Sequence, residues 1–335
     1  MVSLSTTTAR AVIFYTLDGS TPTASSPQYL VPILVASNLT LKAIAISGGS
    51  SVLTPSSVTT QTFSPNIPSG TLVWSDEFNY STGTPAQPDP TVWTYDTGTN
   101  CCGNNELEDY CAWGSSSAPC STTNPSGYVG TDGYLHIVAQ QPSIGVYTSA
   151  RLKTQGLFSF QYGRIEASMQ LPEAQGFWPA FWMLGNNIAN INWPACGELD
   201  IMEHIDGNDP PFYQGGTPPG YDWVAGSVHG GASSSTEING SQNYHPSGFS
   251  AADWHTYGMI WSQGQVEYYI DDPSNIYVTF TPTNSNFNSS TWPFDQGPQF
   301  IILNLAVGGD WPGSPDNTTP FPSEMLVDYV RIYTN

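Results

Sequence analysis

Short runs of apolar and β-branched residues recur along the chain between clusters of Gly, Pro, Asn and Ser, and no stretch sustains a 3.6-residue period. Runs of that kind, bounded by turn formers, predict strands, so the chain reads as all-β. Residues 134–139, 163–171, 265–270, 300–307 and 326–333 are the clearest, spaced as in a large antiparallel sandwich of two sheets. Nearer the N-terminus, 11–16, the turn Asp18-Gly19-Ser20 and 39–46 predict a small β-module, followed by a linker-like stretch at 62–70. The expected division is a small module with its linker over 1–68 and a large sandwich over 69–335.

One apolar run breaks the pattern. Residues 197–204 read GELDIMEH, with Glu198, Asp200 and Glu203 set among residues typical of a buried strand. A buried carboxylate without a partner costs several kcal/mol or takes up a proton, so three on one strand point to chemistry. In a regular strand Glu198 and Asp200 share a face and Glu203 points the other way. A β-bulge at Ile201-Met202 corrects the parity and turns all three acids toward one cleft, leaving Leu199 and the bulge residues to the core. On a helix Glu198 and Glu203 would lie about 140° apart, so a strand is required. Two carboxylates roughly 5–5.5 Å apart are the apparatus of a retaining glycosidase, one attacking C1 and the other protonating the departing oxygen. Asp200 is expected to share a hydrogen bond with Glu198, and the three close charges are expected to raise the proton affinity of Glu203. The rival reading, a calcium-binding strand, would place its acids on an irregular loop.

Composition narrows the substrate. Six Lys and Arg stand against 27 Asp and Glu, a net charge of -21, which disfavours nucleic acid, anionic lipid and sulfated or uronic polymers as partners. Eleven Trp and eighteen Tyr beside many Asn, Ser, Thr and Gly suit neutral sugars, although core packing accounts for many of the aromatics. Four cysteines, Cys101, Cys102, Cys111 and Cys120, cluster while Cys196 stands alone. They read as disulfides formed outside the cytosol, with three connectivities open; the absence of a CxxC speaks against the competing zinc site. No apolar run is long enough to span a bilayer, and the N-terminus lacks a basic-then-apolar leader, so a secreted protein with its signal peptide already removed is expected.

Two family resemblances follow from these motifs. Residues 13–29 (IFYTLDGSTPTASSPQY) resemble the signature of the chitobiase C-terminal-type module, which leaves open whether this copy binds a ligand or is a spacer. The ELDIMEH motif, with its extra Met, resembles the active-site strand of glycoside hydrolase family 16 in the laminarinase (endo-1,3-β-glucanase) branch; lichenases lack the inserted residue. The resemblance runs from Trp74-Ser75-Asp76-Glu77-Phe78 to Val327-Asp328-Tyr329-Val330-Arg331, through 103–110 (GNNELEDY), 150–154, 176–184 (GFWPAFWML), Val228-His229-Gly230, 254–257 and 304–313 (NLAVGGDWPG).

What this second resemblance implies is an antiparallel jelly-roll (concanavalin A-like) sandwich that cleaves internal β-1,3 bonds of laminarin-type glucans, with mixed 1,3-1,4 glucans as a second substrate. A non-catalytic β-glucan-binding protein on the same fold and a lichenase- or agarase-like specificity are the alternatives. Sugar contacts carry over to Asn105, Arg151, Trp178 and Trp182, and cleft roles to His229 and Trp311. His204 and His229 either orient a cleft group or pack, whereas His255 reads as a core histidine. Arg151 has fixing a cleft carboxylate as its structural alternative. Glu108 replaces the Gln usual in the family. Catalysis needs no cofactor, a structural calcium is expected at Glu77, the Gly133 carbonyl and Asp328, and the protein is expected to act as a monomer.

Overall fold

The structure is a computed structural model that describes residues 1–36, 38–47, 54–65, 67–99, 102–206, 223–284, 286–288 and 291–335. The five strands read from the sequence appear as Leu135–Ser143, Gly163–Gln170, Gln265–Ile270, Gln299–Val307 and Ser323–Tyr333. They belong to two large sheets, one of eleven strands and one of seven. The seven-stranded sheet is antiparallel throughout and runs, from one edge, Glu237–Tyr244, Val224–Gly231, Glu198–Glu203, Phe177–Gly185, Gln299–Val307, Arg151–Lys153, Thr94–Asp96.

Each strand of this sheet turns alternate side chains to opposite faces. Phe177, Phe181 and Met183 enter the core, as do Ile301, Leu303, Leu305 and Val307. They meet Ile165, Met259, Trp261 and Tyr268 of the larger sheet there. The intervening residues, Trp178, Ala180, Trp182 and Leu184 on one strand and Phe300, Ile302 and Asn304 on the other, line a cavity on the sheet's far face. Gln299–Val307 is buried along its whole length, which explains why it reads as a nearly continuous apolar run broken by Asn304.

The N-terminal module forms its own sheet of Ala11–Thr16, Leu39–Ser47 and Thr59–Phe63. Tyr15, Leu17, Ile33, Leu39 and Leu41 make a separate small core. Leu34 and Ala36, by contrast, belong to the main core of the sandwich. Asn190 Nδ2 also donates to the Ser26 carbonyl at 3.3 Å, so module and sandwich touch through both apolar and polar contacts.

Candidate active site

Glu198, Asp200 and Glu203 all line one cavity of about 540 Å³. Their strand is entered through Gly197, whose φ of +81° favours glycine and whose missing Cβ would meet the Pro293 and Phe294 rings at 3.0 and 3.2 Å. Along the strand, Phe181 pairs with Met202 and Trp182 with Asp200, leaving Ile201 in excess. On the other side Asp200 faces Ser227 and Glu203 faces Ala225, so the same excess recurs. This is the bulge expected at Ile201-Met202, and Leu199, Ile201 and Met202 all enter the core.

The three acids have different partners. Glu198 Oε2 accepts from Trp193 Nε1 at 2.9 Å, and Glu203 Oε1 accepts from Trp178 Nε1 at 3.0 Å. Ser227 Oγ stands 2.7 Å from Asp200 Oδ2 and 3.2 Å from Glu203 Oε2. His229 Nε2 lies 3.1 Å from Asp200 Oδ2, and its Nδ1 lies 2.6 Å from Glu237 Oε1. Asp200 is linked through the Ser227 hydroxyl to Glu203, because Ser227 is the residue directly opposite Asp200 across the strand pair.

Loss of water around Glu198 and Glu203 raises the proton affinity of both, and the Asp200 charge adds to it. The rise expected for Glu203 thus extends to Glu198. Burial opposes a charge on His229, but the Asp200 bond and charge, with Glu198 and Glu237, outweigh it and hold the imidazole protonated well above its ordinary range.

The other expected contacts divide. Trp178 and Trp182 share the cavity face, with Trp182 Nε1 donating to Asn304 Oδ1 at 2.7 Å. Arg151 lines the same cavity, 4.5 Å over the Trp182 ring, and also donates to Asp96 at 3.1 Å, so it takes up both the cleft position and the carboxylate-fixing alternative. Asn105 does not line the cavity: its amide donates to both Asp310 oxygens, because it and Asn104 adopt consecutive left-handed conformations that turn it outward. Asn104 and Glu106 form that wall instead. His204 is buried against Trp223, its Nδ1 2.9 Å from the Trp223 carbonyl, and it does not line the cavity. His229 sits behind Asp200, and Trp311 packs edge-on against Trp178 at 5.3 Å; each supports a wall residue and is itself outside the wall. His255 lies 3.0 Å from Asp271 and against Phe249. Glu108 is buried, accepts from the Val307 amide at 2.7 Å, and is pushed up in proton affinity by burial and by Glu106.

Several site residues escaped the sequence reading. Trp193, 37% exposed at the cavity edge, lies just upstream of the acidic motif. Ser227 sits two residues before His229, hence on the same strand face, and Asn304 was visible as the one polar residue in FIILNLAV. Asp96 and Lys153 also line the cavity and pair with each other.

Of the cysteines, Cys111 and Cys120 form a disulfide and Cys102 is disulfide-bonded; Cys101 lies outside the described residues. Cys196 is a buried free thiol, pushed up to about 12 mainly by burial. Asp328 sits at a seam in the larger sheet. Leu135 pairs with Val327 and Asp76 with Val330, so Gly133 and Glu77 flank the unladdered step between. Arg331 holds both carboxylate oxygens of Glu77, at 2.9 and 2.7 Å.

An acidic trio on a bulged strand, facing a tryptophan-walled cavity, defines a glycoside hydrolase site, and the chain belongs to the family described as "Glycosyl hydrolases family 16", whose profile matches residues 115–331. The profile "Chitobiase/beta-hexosaminidase C-terminal domain" matches residues 1–60. Within the family the chain is similar to the "Beta-glucanase" of Rhodothermus marinus, 36% identical over 81% of this chain and 87% of that one. It is 32% identical to the "Glucan endo-1,3-beta-glucosidase A1" of Niallia circulans over 80% of this chain and 38% of the relative. The laminarinase catalytic domain of Thermotoga maritima superposes with a TM-score of 0.63 at 35% identity, covering 80% of this chain and 99% of that domain.

Proposed function

We propose that the protein is an endo-acting, retaining hydrolase of internal β-1,3-glucosidic bonds in laminarin-type glucans, with mixed 1,3-1,4 glucans as a second substrate. The observation that carries the reading is the gathering of Glu198, Asp200 and Glu203 on one cavity face by the bulge at Ile201-Met202. Glu198 attacks C1 of the sugar beside Trp182, and Glu203 protonates the departing oxygen; Glu203 then takes a proton from the water that releases the glycosyl enzyme. Both groups come from the chain, so the reaction calls on no cofactor. Asn304 holds the Trp182 ring and Arg151 covers it, an arrangement suited to stacking on a neutral sugar.

Purified protein should release reducing sugar from laminarin, with the β-anomer appearing first by NMR, ahead of lichenan and barley glucan and with no action on agarose or carrageenan. Binding of laminarin without release would instead support the non-catalytic glucan-binding alternative, and release of the α-anomer first would overturn retention.

The division into 1–68 and 69–335 is part of the same reading, supported by the module's own sheet and small core. So is secretion, supported by disulfides at Cys102 and Cys111–Cys120; no helix among the described residues is long and apolar enough to cross a membrane. The protein is taken to act as a monomer without nucleic-acid or membrane partners, in keeping with its net charge of -21. A structural calcium at Glu77, the Gly133 carbonyl and Asp328 is proposed as well, supported by the seam in the larger sheet at which Asp328 lies. Dialysis against a chelator should lower the thermal midpoint and elemental analysis should find about one calcium per chain; an unchanged midpoint with no metal removes the site.

A further inference from the structure

Two glutamates with raised proton affinity leave open which of them carries the proton at rest, and the hydrogen-bond geometry around Ser227 answers it. We infer that Ser227 is a positioning residue of the reaction, whose hydroxyl accepts from the protonated Glu203 at rest and turns to donate to the carboxylate once that proton has left. The inference rests on the reading of Glu203 as acid and base.

A hydroxyl offers one hydrogen and two lone pairs. Ser227 Oγ meets carboxylate oxygens on both sides, Asp200 Oδ2 at 2.7 Å and Glu203 Oε2 at 3.2 Å, and its single hydrogen cannot serve two anions at once. Asp200 Oδ2 also faces His229 Nε2 at 3.1 Å, and Glu237 faces the other imidazole nitrogen at 2.6 Å. A cationic His229 held from both ends favours the anion on Asp200, and the shorter contact takes the Ser227 hydrogen. A Ser227 lone pair then faces Glu203 Oε2, a contact that is attractive only when this oxygen bears the hydrogen. The other Glu203 oxygen is occupied as an acceptor by Trp178. Glu198 shares with Glu203 an indole donor, here Trp193, and is set apart by the Ser227 hydroxyl facing Glu203.

Among the described residues, other titratable groups around this chain are Tyr268, whose hydroxyl donates to the Ser227 carbonyl at 2.7 Å from the opposite sheet, Tyr277, which feels the Glu203 charge, Arg151, which favours the charged form of Glu198, and Cys196, which feels the Glu198 charge. When substrate is cleaved, the Glu203 O–H bond breaks and a new O–H bond forms on the departing sugar. Glu203 becomes an anion, and the Ser227 hydrogen swings from Asp200 to it. Protonation of Glu203 by the incoming water reverses the swing, so Ser227 ends unchanged.

Ser227→Ala in the full chain should lower kcat/KM on laminarin by about 10- to 100-fold, the range of a lost charge-assisted hydrogen bond. It should also shift the alkaline limb of the pH profile to higher pH, because the hydroxyl's bond favours the Glu203 anion more than the neutral acid. Glycosylation by a 2,4-dinitrophenyl glycoside of a β-1,3-gluco-oligosaccharide, whose leaving group needs no acid, should stay near the unsubstituted rate. Ser227→Thr, which keeps the hydroxyl, should restore the profile. Equal losses on both substrates with an unshifted profile would mean that Ser227 only packs, and would overturn the inference. If Ser227→Ala fails to fold, Ser227→Cys, with a poor donor of similar size, carries the same comparison. Glu203→Gln measured in parallel separates the two readings. If it hydrolyses laminarin normally, the acid–base assignment itself falls; if it shows the leaving-group dependence and Ser227→Ala does not, only the role of Ser227 falls.

Discussion

Glu198 and Glu203 have the same side chain, the same strand and the same desolvation, and differ in what faces them: an indole donor at the first, an indole donor and a hydroxyl shared with Asp200 at the second. Removing each should therefore fail in its own way. Glu198→Ala should lose laminarin hydrolysis, form no glycosyl enzyme, and turn over a β-linked activated donor with azide to an α-azide product. Glu203→Ala should fall about 10²- to 10⁴-fold on laminarin, the usual worth of general acid–base catalysis, while an activated donor still glycosylates Glu198 and azide yields a β-product. NMR of the azide adducts reads the outcome, and the reverse stereochemistry would exchange the two assignments.

At the scale of the element, the bulge decides which way Glu203 points. Parity along a strand has period two, so inserting one further residue after Ile201 should turn Glu203 into the core and bring laminarin hydrolysis down to the level of Glu203→Gln. Deleting Met202 leaves Glu198, Asp200 and a glutamate at even spacing on a regular strand. That variant should retain activity well above the insertion while losing about 2–5 kcal/mol of stability with the buried Met side chain, measured by denaturant unfolding. The bulge was legible because three acids and the spacing of Leu199, Ile201 and Met202 admit one solution that keeps acids out of the core. The turn at Asn104 and Asn105 was not, since two successive left-handed residues break the alternation from which a face is read. His204 directly follows the active strand, its amide still bonded to the Pro179 carbonyl at 3.3 Å, and its ring packs against Trp223. Trp193 comes from outside the strand altogether, and its contact with Glu198 depends on how the preceding loop returns over the sheet, which no local pattern encodes.

For the molecule as a whole, the titration of the site sets the direction of its pH dependence. Glu198 and Glu203 bind protons more tightly folded than unfolded, so as pH rises above the unfolded carboxylate value, about 4.3, the native state increasingly carries the cost of ionising them and stability falls. His229 acts in the same sense: its stabilising contribution is complete below the unfolded value near 6.5 and is lost as pH climbs through the higher folded one. The net charge of -21 adds repulsion along the same axis. Thermal midpoints measured from pH 4 to 9 should be highest on the acid side. Glu203→Gln, which keeps a donor toward Ser227 and an acceptor toward Trp178, should melt a few degrees higher at pH 8 and show a flatter profile; a lower midpoint at pH 8 would contradict it. Leu34 and Ala36, on the N-terminal module but inside the sandwich core, bear on the calorimetry of the same molecule. A tethered module with a core of its own would melt as a separate endotherm, whereas a module that lends side chains to its neighbour's interior cannot come away without opening it. Scanning calorimetry of the full chain should record one endotherm with a van't Hoff enthalpy close to the calorimetric one, and Leu34→Ala should split it in two.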